Sequence, residues 1–138
     1  MIGDWRNNQE DARVLKLAHI LSMIKVHLLS GYDVVLPYLV TDSTHVEKFA
    51  AVSAECHADF KELLLNTEKE VAVRKLLQRG SWGEEGLPPV TQEHTERIEG
   101  LYDLMITEFE KRPNMRALKY QEDDIEATYS NFLQMIVK

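Results

Sequence analysis

The stretch Ser30 to Ser43, SGYDVVLPYLVTDS, sets Val34, Val35, Leu36, Tyr38, Leu39 and Val40 between a glycine and a Thr-Asp-Ser cluster. An unbroken apolar run bounded by turn residues reads as a strand covered on both faces, the kind that parallel α/β sheets contain. In such sheets ligands bind just past the carboxyl ends of the strands, so the residues after Val40 become suspects. Pro37 cannot donate to a ladder and puts this strand at an edge, or makes it irregular along one side.

Upstream, Asn8 to Leu29 is helical in pattern, with Val14, Leu17, Leu21, Ile24 and Leu28 on one stripe and Ile20, Met23 and Val26 widening it. Gly31 suits the cap that ends this helix. Downstream, Thr41, Asp42 and Ser43 offer N-caps for a helix with Val46, Phe49, Ala50, Ser53 and Cys56 on one face. A second strand is expected at Asp59 to Asn66. Thr67-Glu-Lys-Glu70 then has the form of a capping box opening a helix to about Arg79. Gly80 to Pro89, GSWGEEGLPP, reads as a mobile loop, lid-like in position over 80–90. Thr91 caps an amphipathic helix carrying Ile98, Leu101, Tyr102, Met105, Ile106 and Phe109, and Pro113 stops it. Met115 to Tyr120 is a third strand, and Asp123 begins a last helix with Ile125, Tyr129, Phe132 and Ile136 facing inward. Such alternation predicts a single α/β domain over 1–138, three-layered α/β/α, with a small parallel sheet and right-handed crossovers.

The chain of 138 residues has the size of one ordinary domain, and 44% hydrophobic with 28% charged residues is a globular composition. A net charge of -7 opposes docking on nucleic acid or an anionic membrane. The one cysteine, Cys56, cannot form an internal disulfide, which points to a reducing, cytoplasmic setting. Met1 to Arg13 is unlike a signal peptide, and Lys25 interrupts the longest apolar helix, so no membrane segment is expected.

No metal site is expected. His19 and His27 lie two helical turns apart, roughly 12 Å along the axis, too far to share an ion, and His45, His57 and His94 show no ligand spacing. Cys56 beside His57 suggests a thiol and base, but helix neighbours diverge and a structural thiol is the simpler reading. Trp5 and Trp82, in polar segments, could anchor their own chain or stack on a ligand. Glu84-Glu85 and Glu122-Asp123-Asp124 read as solvated surface and a helix start. Arg74 and Arg79 are the strongest chemical signal. Two guanidiniums beside a glycine-hinged flap could meet one polyanion if the last helical turn unwinds; alternatively they complement the helix dipole.

The stretches IGDWRNNQEDARVLKLAH, LLSGYDVVLPYLV, FKELLLN, EKEVAVRKLLQRG and LKYQEDDIEATYSNFLQMI together resemble the small P-loop kinases. That group includes gluconate kinase, adenylate kinase, chloramphenicol phosphotransferase and predicted bacterial kinases of AAA ATPase type. The resemblance implies ATP and Mg2+, with phosphoryl transfer to a small-molecule acceptor. Arg74 and Arg79 would be lid arginines acting on the transferring group. Tyr120, Gln121 and Asp123 would approach the nucleotide, and Asp4, Arg6, Thr41 and Asp42 would border the acceptor. The family's phosphate loop, Gly-x-x-x-x-Gly-Lys-Ser/Thr, is missing from this sequence.

The fold is therefore expected to be P-loop NTPase-like without its first strands, the carboxyl-terminal part of a kinase or a degenerate, inactive relative. Strands at 33–40 and 59–65 would then pair directly, or another segment or chain would fill the gap. The alternative is a non-catalytic interaction or regulatory domain that forms a homo-oligomer through an exposed sheet edge.

Overall fold

The computed structural model describes residues 7–83, 86–112 and 114–137. Trp5, Glu84, Glu85 and Pro113, together with Asp4 and Arg6, lie outside the described residues. The chain divides into two compact units, one up to Phe60 and one from Lys61 onward.

The first unit is a helical hairpin of α1 (Gln9–Leu29) and α2 (Ser43–Glu55). Leu17 and Ile24 of α1 bury against Phe49 of α2, with Ile20, Leu21, Leu28, Tyr38 and Val52 closing around them. Gly31, at φ +82°, ends α1 as the sequence implies. The amide of Tyr32 bonds to the His27 carbonyl and that of Gly31 to Leu28, both at 3.0–3.1 Å, the pattern of a Schellman cap. The same cap ends α2, where Ala58 bonds to Ser53 and His57 to Ala54. There the left-handed position, φ +55°, falls on His57.

Residues 32–40 form no strand. Val35 is 72% exposed and Leu39 58%. An apolar run becomes a buried strand only where a neighbouring ladder receives it, and Pro37 deletes one donor. The segment is held instead by one side chain. Tyr38 stands edge-on to Phe49 at 5.3 Å, and its hydroxyl lies 2.9 Å from His45 Nδ1.

The second unit contains β1 (Leu63–Asn66), α3 (Lys69–Arg79), a 3-10 turn (Gln92–His94), α4 (Thr95–Glu110), β2 (Arg116–Lys119) and α5 (Ile125–Ile136). β1 and β2 run parallel, Leu63 opposite Arg116 through Asn66 opposite Lys119. The predicted pairing of 33–40 with 59–65 is thus replaced by 63–66 with 116–119. The second strand is shorter than expected because β2 offers it only four partners. The result is a small mixed α/β unit with a two-stranded parallel sheet.

Val73, Val90 and Ile98 form its core with Leu76, Leu77 and Trp82 around them. Gly80, at φ +67°, ends α3, and its carbonyl accepts from Val90 at 2.9 Å, joining the two ends of the glycine-rich loop. Two local expectations fail. The Thr67-Glu70 capping box is absent, since Glu68 is the N-cap of α3 and no side chain caps it; the Thr67 carbonyl is taken by the Tyr102 hydroxyl at 2.7 Å. On α5, Phe132 and Ile136 are half-buried as expected, but Ile125 is 69% and Tyr129 55% exposed. The buried residue is Thr128, whose hydroxyl accepts from the Gln121 amide at 3.0 Å and donates to the Asp124 carbonyl at 3.1 Å. Asp124, one residue later than expected, caps the helix through Ala127.

The two Schellman caps give a paired prediction. A left-handed conformation costs an L-residue about 1–2 kcal/mol, part of which glycine returns in unfolded-state entropy. His57→Gly should therefore raise stability in urea denaturation by about 0.5–1 kcal/mol, and Gly31→Ala should lower it by a similar amount. Destabilisation by His57→Gly would contradict the cap.

Candidate ligand site at the strand ends

In a parallel pair, the polar groups gathered past the carboxyl ends are the natural place to look for binding. β1 and β2 end together, the Tyr120 amide donating to the Asn66 carbonyl at 2.8 Å. α3 and α4 bring side chains to this end. The Lys75 ammonium donates to the Tyr120 hydroxyl at 2.8 Å and stands 4.1 Å from the centre of that ring. Arg74 grips both carboxylate oxygens of Glu122 at 2.8 and 2.7 Å, with Lys75 3.8 Å from the same carboxylate. Two cations thus face the one carboxylate of Glu122. The Arg74 and Glu122 side chains are 51% and 40% exposed, so solvent screens the pair and it contributes less than about 1 kcal/mol.

Beside this cluster, Lys69 donates to Asp103 at 2.6 Å. That hydrogen bond, together with the nearby charges of Asp103, Glu99 and Glu70, holds the ammonium above its usual lysine range. A cavity of about 470 Å³ opens between α3, the 3-10 turn and α4, with Val73 and Leu77 as apolar lining and Glu70, Arg74, Gln78, Gln92 and Glu99 as polar lining. Arg74 belongs to both the cavity and the cluster.

The sequence-predicted residues separate. Arg74 and Arg79 do not converge, because α3 stays helical through Arg79 and each arginine has its own partner. Arg79 turns into the glycine-rich loop, its Nε donating to the Ser81 carbonyl at 2.8 Å. Tyr120 is in the cluster, Gln121 uses its amide on Thr128, and Asp123 lies in the exposed turn before α5. Thr41 is exposed in the first unit. Asp42 caps α2, accepting the Thr44 amide at 2.9 Å and hydroxyl at 2.7 Å. Asp4 and Arg6 lie outside the described residues. Lys75 and Tyr102 were not singled out by sequence as site residues, and Glu122, within the segment 120–123 expected near the nucleotide, was read as surface charge. Lys75 and Tyr120 are 45 positions apart and Arg74 and Glu122 48, and no local pattern announces such meetings.

Among the described residues no three His, Cys, Asp or Glu side chains are placed to hold a metal ion, and no helix is long and apolar enough to cross a membrane. Comparison with protein-family models, characterised proteins and solved structures finds no match.

Asp42 offers a pH test. The Thr44 hydroxyl, then the Thr44 amide, then the charges of His45 and Lys48 hold its carboxyl below the usual aspartate range. Its cap is therefore complete above the ordinary value, about 3.9, and is lost as pH falls through the lowered one. The Thr44 amide resonance should shift with a midpoint below that value, and the shift should vanish in Asp42→Asn. A midpoint above it would contradict the assignment.

Proposed function

We propose that the chain carries a P-loop-kinase-like α/β scaffold whose parent activity is ATP-dependent phosphoryl transfer to a small-molecule acceptor. The observation that carries this reading is the gathering of Arg74, Lys75, Tyr120 and Glu122 at the carboxyl ends of a parallel strand pair. A nucleotide would use the Tyr120 face for its base and the two cations for its phosphates, displacing the Glu122 carboxylate from Arg74. The described residues offer no cluster for Mg2+, which would arrive with the phosphates. Without a phosphate loop, binding by this chain should be weaker than about 1 mM. In an amide-resonance titration with Mg-ADP, shifts should concentrate at Lys75, Tyr120 and Glu122 and disappear in Arg74→Ala. Shifts scattered elsewhere, or none at about 10 mM, would remove the nucleotide reading.

A second reading, a non-catalytic domain that assembles with a second copy of itself, is favoured by the edge of β1. Arg116 donates to the Glu62 carbonyl and Tyr120 to that of Asn66, so the even-numbered groups of β1 face β2. The backbone groups of Leu63 and Leu65 point the other way, and Leu65 is 57% exposed. The opposite edge carries Arg116 and Lys119, charges of the kind that discourage strand addition. Leu65→Pro removes the outward donor and spares the ladder with β2. Sedimentation should show micromolar self-association, stronger as salt screens the charge of -7 on each copy, and Leu65→Pro should abolish it. A monomer throughout would count against this reading.

A further inference from the structure

The junction between the glycine-rich loop and α4 has a chemistry that neither functional reading uses. Thr91 and His94 form a reciprocal capping box around the 3-10 turn. In the usual box the third residue is Glu or Gln, whose oxygen accepts the amide of the capping residue in any protonation state the helix meets. Here the acceptor is an imidazole nitrogen. The Thr91 amide donates to His94 Nδ1 at 3.0 Å, and the Thr91 hydroxyl lies 3.2 Å from the same atom. A backbone amide can only donate, so Nδ1 must carry a free lone pair and the ring must be neutral with its proton on Nε2.

The same ring meets Trp82. Trp82 stands perpendicular to His94 with ring centres 5.5 Å apart, and it packs on the core of Val73, Val90 and Ile98. Arg97 lies 4.9 Å from the centre of the indole. Among the described residues, the charged groups around the junction are Glu93, Glu96 and Arg97 on its own helical segment and Arg79 of α3, whose Nε donates to the Ser81 carbonyl.

We propose that Thr91 and His94 form an acid-sensitive latch that holds Trp82 at neutral pH and releases it on mild acidification. A proton on Nδ1 places two donors face to face, so the bond from the Thr91 amide is lost. The new cation also lies on the indole shared with Arg97.

The test uses the full chain with Trp5→Phe, so that Trp82 is the only indole. Its emission should move to longer wavelength as pH falls from about 8 to 5, and the Thr91 amide should lose its protection against exchange about fivefold. His94→Gln restores the usual box with a group that does not titrate, so that variant should keep the neutral-pH emission and protection throughout. A flat wild-type profile overturns the latch. So does an equal transition in His94→Gln, which would assign the change to another group.

Discussion

The second unit depends on the parallel pairing of Leu63–Asn66 with Arg116–Lys119. A parallel connection must leave one strand, cross the sheet and return, so α3 and α4 are placed by where the two strands meet. The ladder is clamped at both ends. At the start, Arg112 pairs with Glu62 at 2.7 Å, the side chains only 14% and 19% exposed, and also donates to the Glu108 carbonyl at 2.7 Å. Such a largely desolvated guanidinium pair fixes register more than it adds stability. At the far end the Tyr120 amide reaches Asn66, which brings the Tyr120 ring to Lys75. The candidate site is thus a consequence of the register: a two-residue slip would carry Tyr120 and Glu122 away from α3.

Much of this was legible where the signal is local. The 3.6-residue period of α4, the glycines that end α1 and α3, the Asp42 cap and the third strand all follow from neighbouring residues, whereas on α1 the stripe holds for Leu17, Leu21, Ile24 and Leu28 but Val14, Met23 and Val26, expected on or beside it, are 60–62% exposed. The failures come from distant partners. Val34 to Val40 has the composition of a buried strand, but burial on both faces is a property of neighbours, and Tyr38 finds its neighbours on α2. Thr67 has the residues of a capping box, but α3 takes Glu68, one residue later, as its N-cap, and the Thr67 carbonyl receives the Tyr102 hydroxyl. Ile125 and Tyr129 follow a helical period correctly, yet α5 turns its Thr128 face inward because the hydroxyl there completes the chain between Gln121 and Asp124.

The site was legible in part for the same reason. Arg74 and Tyr120 were singled out, and the structure brings both to the strand ends. Of their immediate partners, Glu122 read from sequence as surface charge, and Lys75 carried no local signal. Arg79 shows the opposite case, a cation whose position before a glycine suggests an anion and whose guanidinium is used on the loop's own backbone. His94 had no ligand spacing and was set aside, although at N3 after a threonine it occupies the position where Glu or Gln completes a capping box.

Residue-resolved amide exchange on the full chain tests the central claim most directly. Leu64, Asn66, Leu118 and Tyr120, whose amides the parallel ladder uses, should be protected, whereas Val34, Val35 and Leu39 should exchange as open chain. Protection of Val34 to Leu39 matching that of Leu118 would contradict the account, because it would mean that the apolar run is a sheet strand after all.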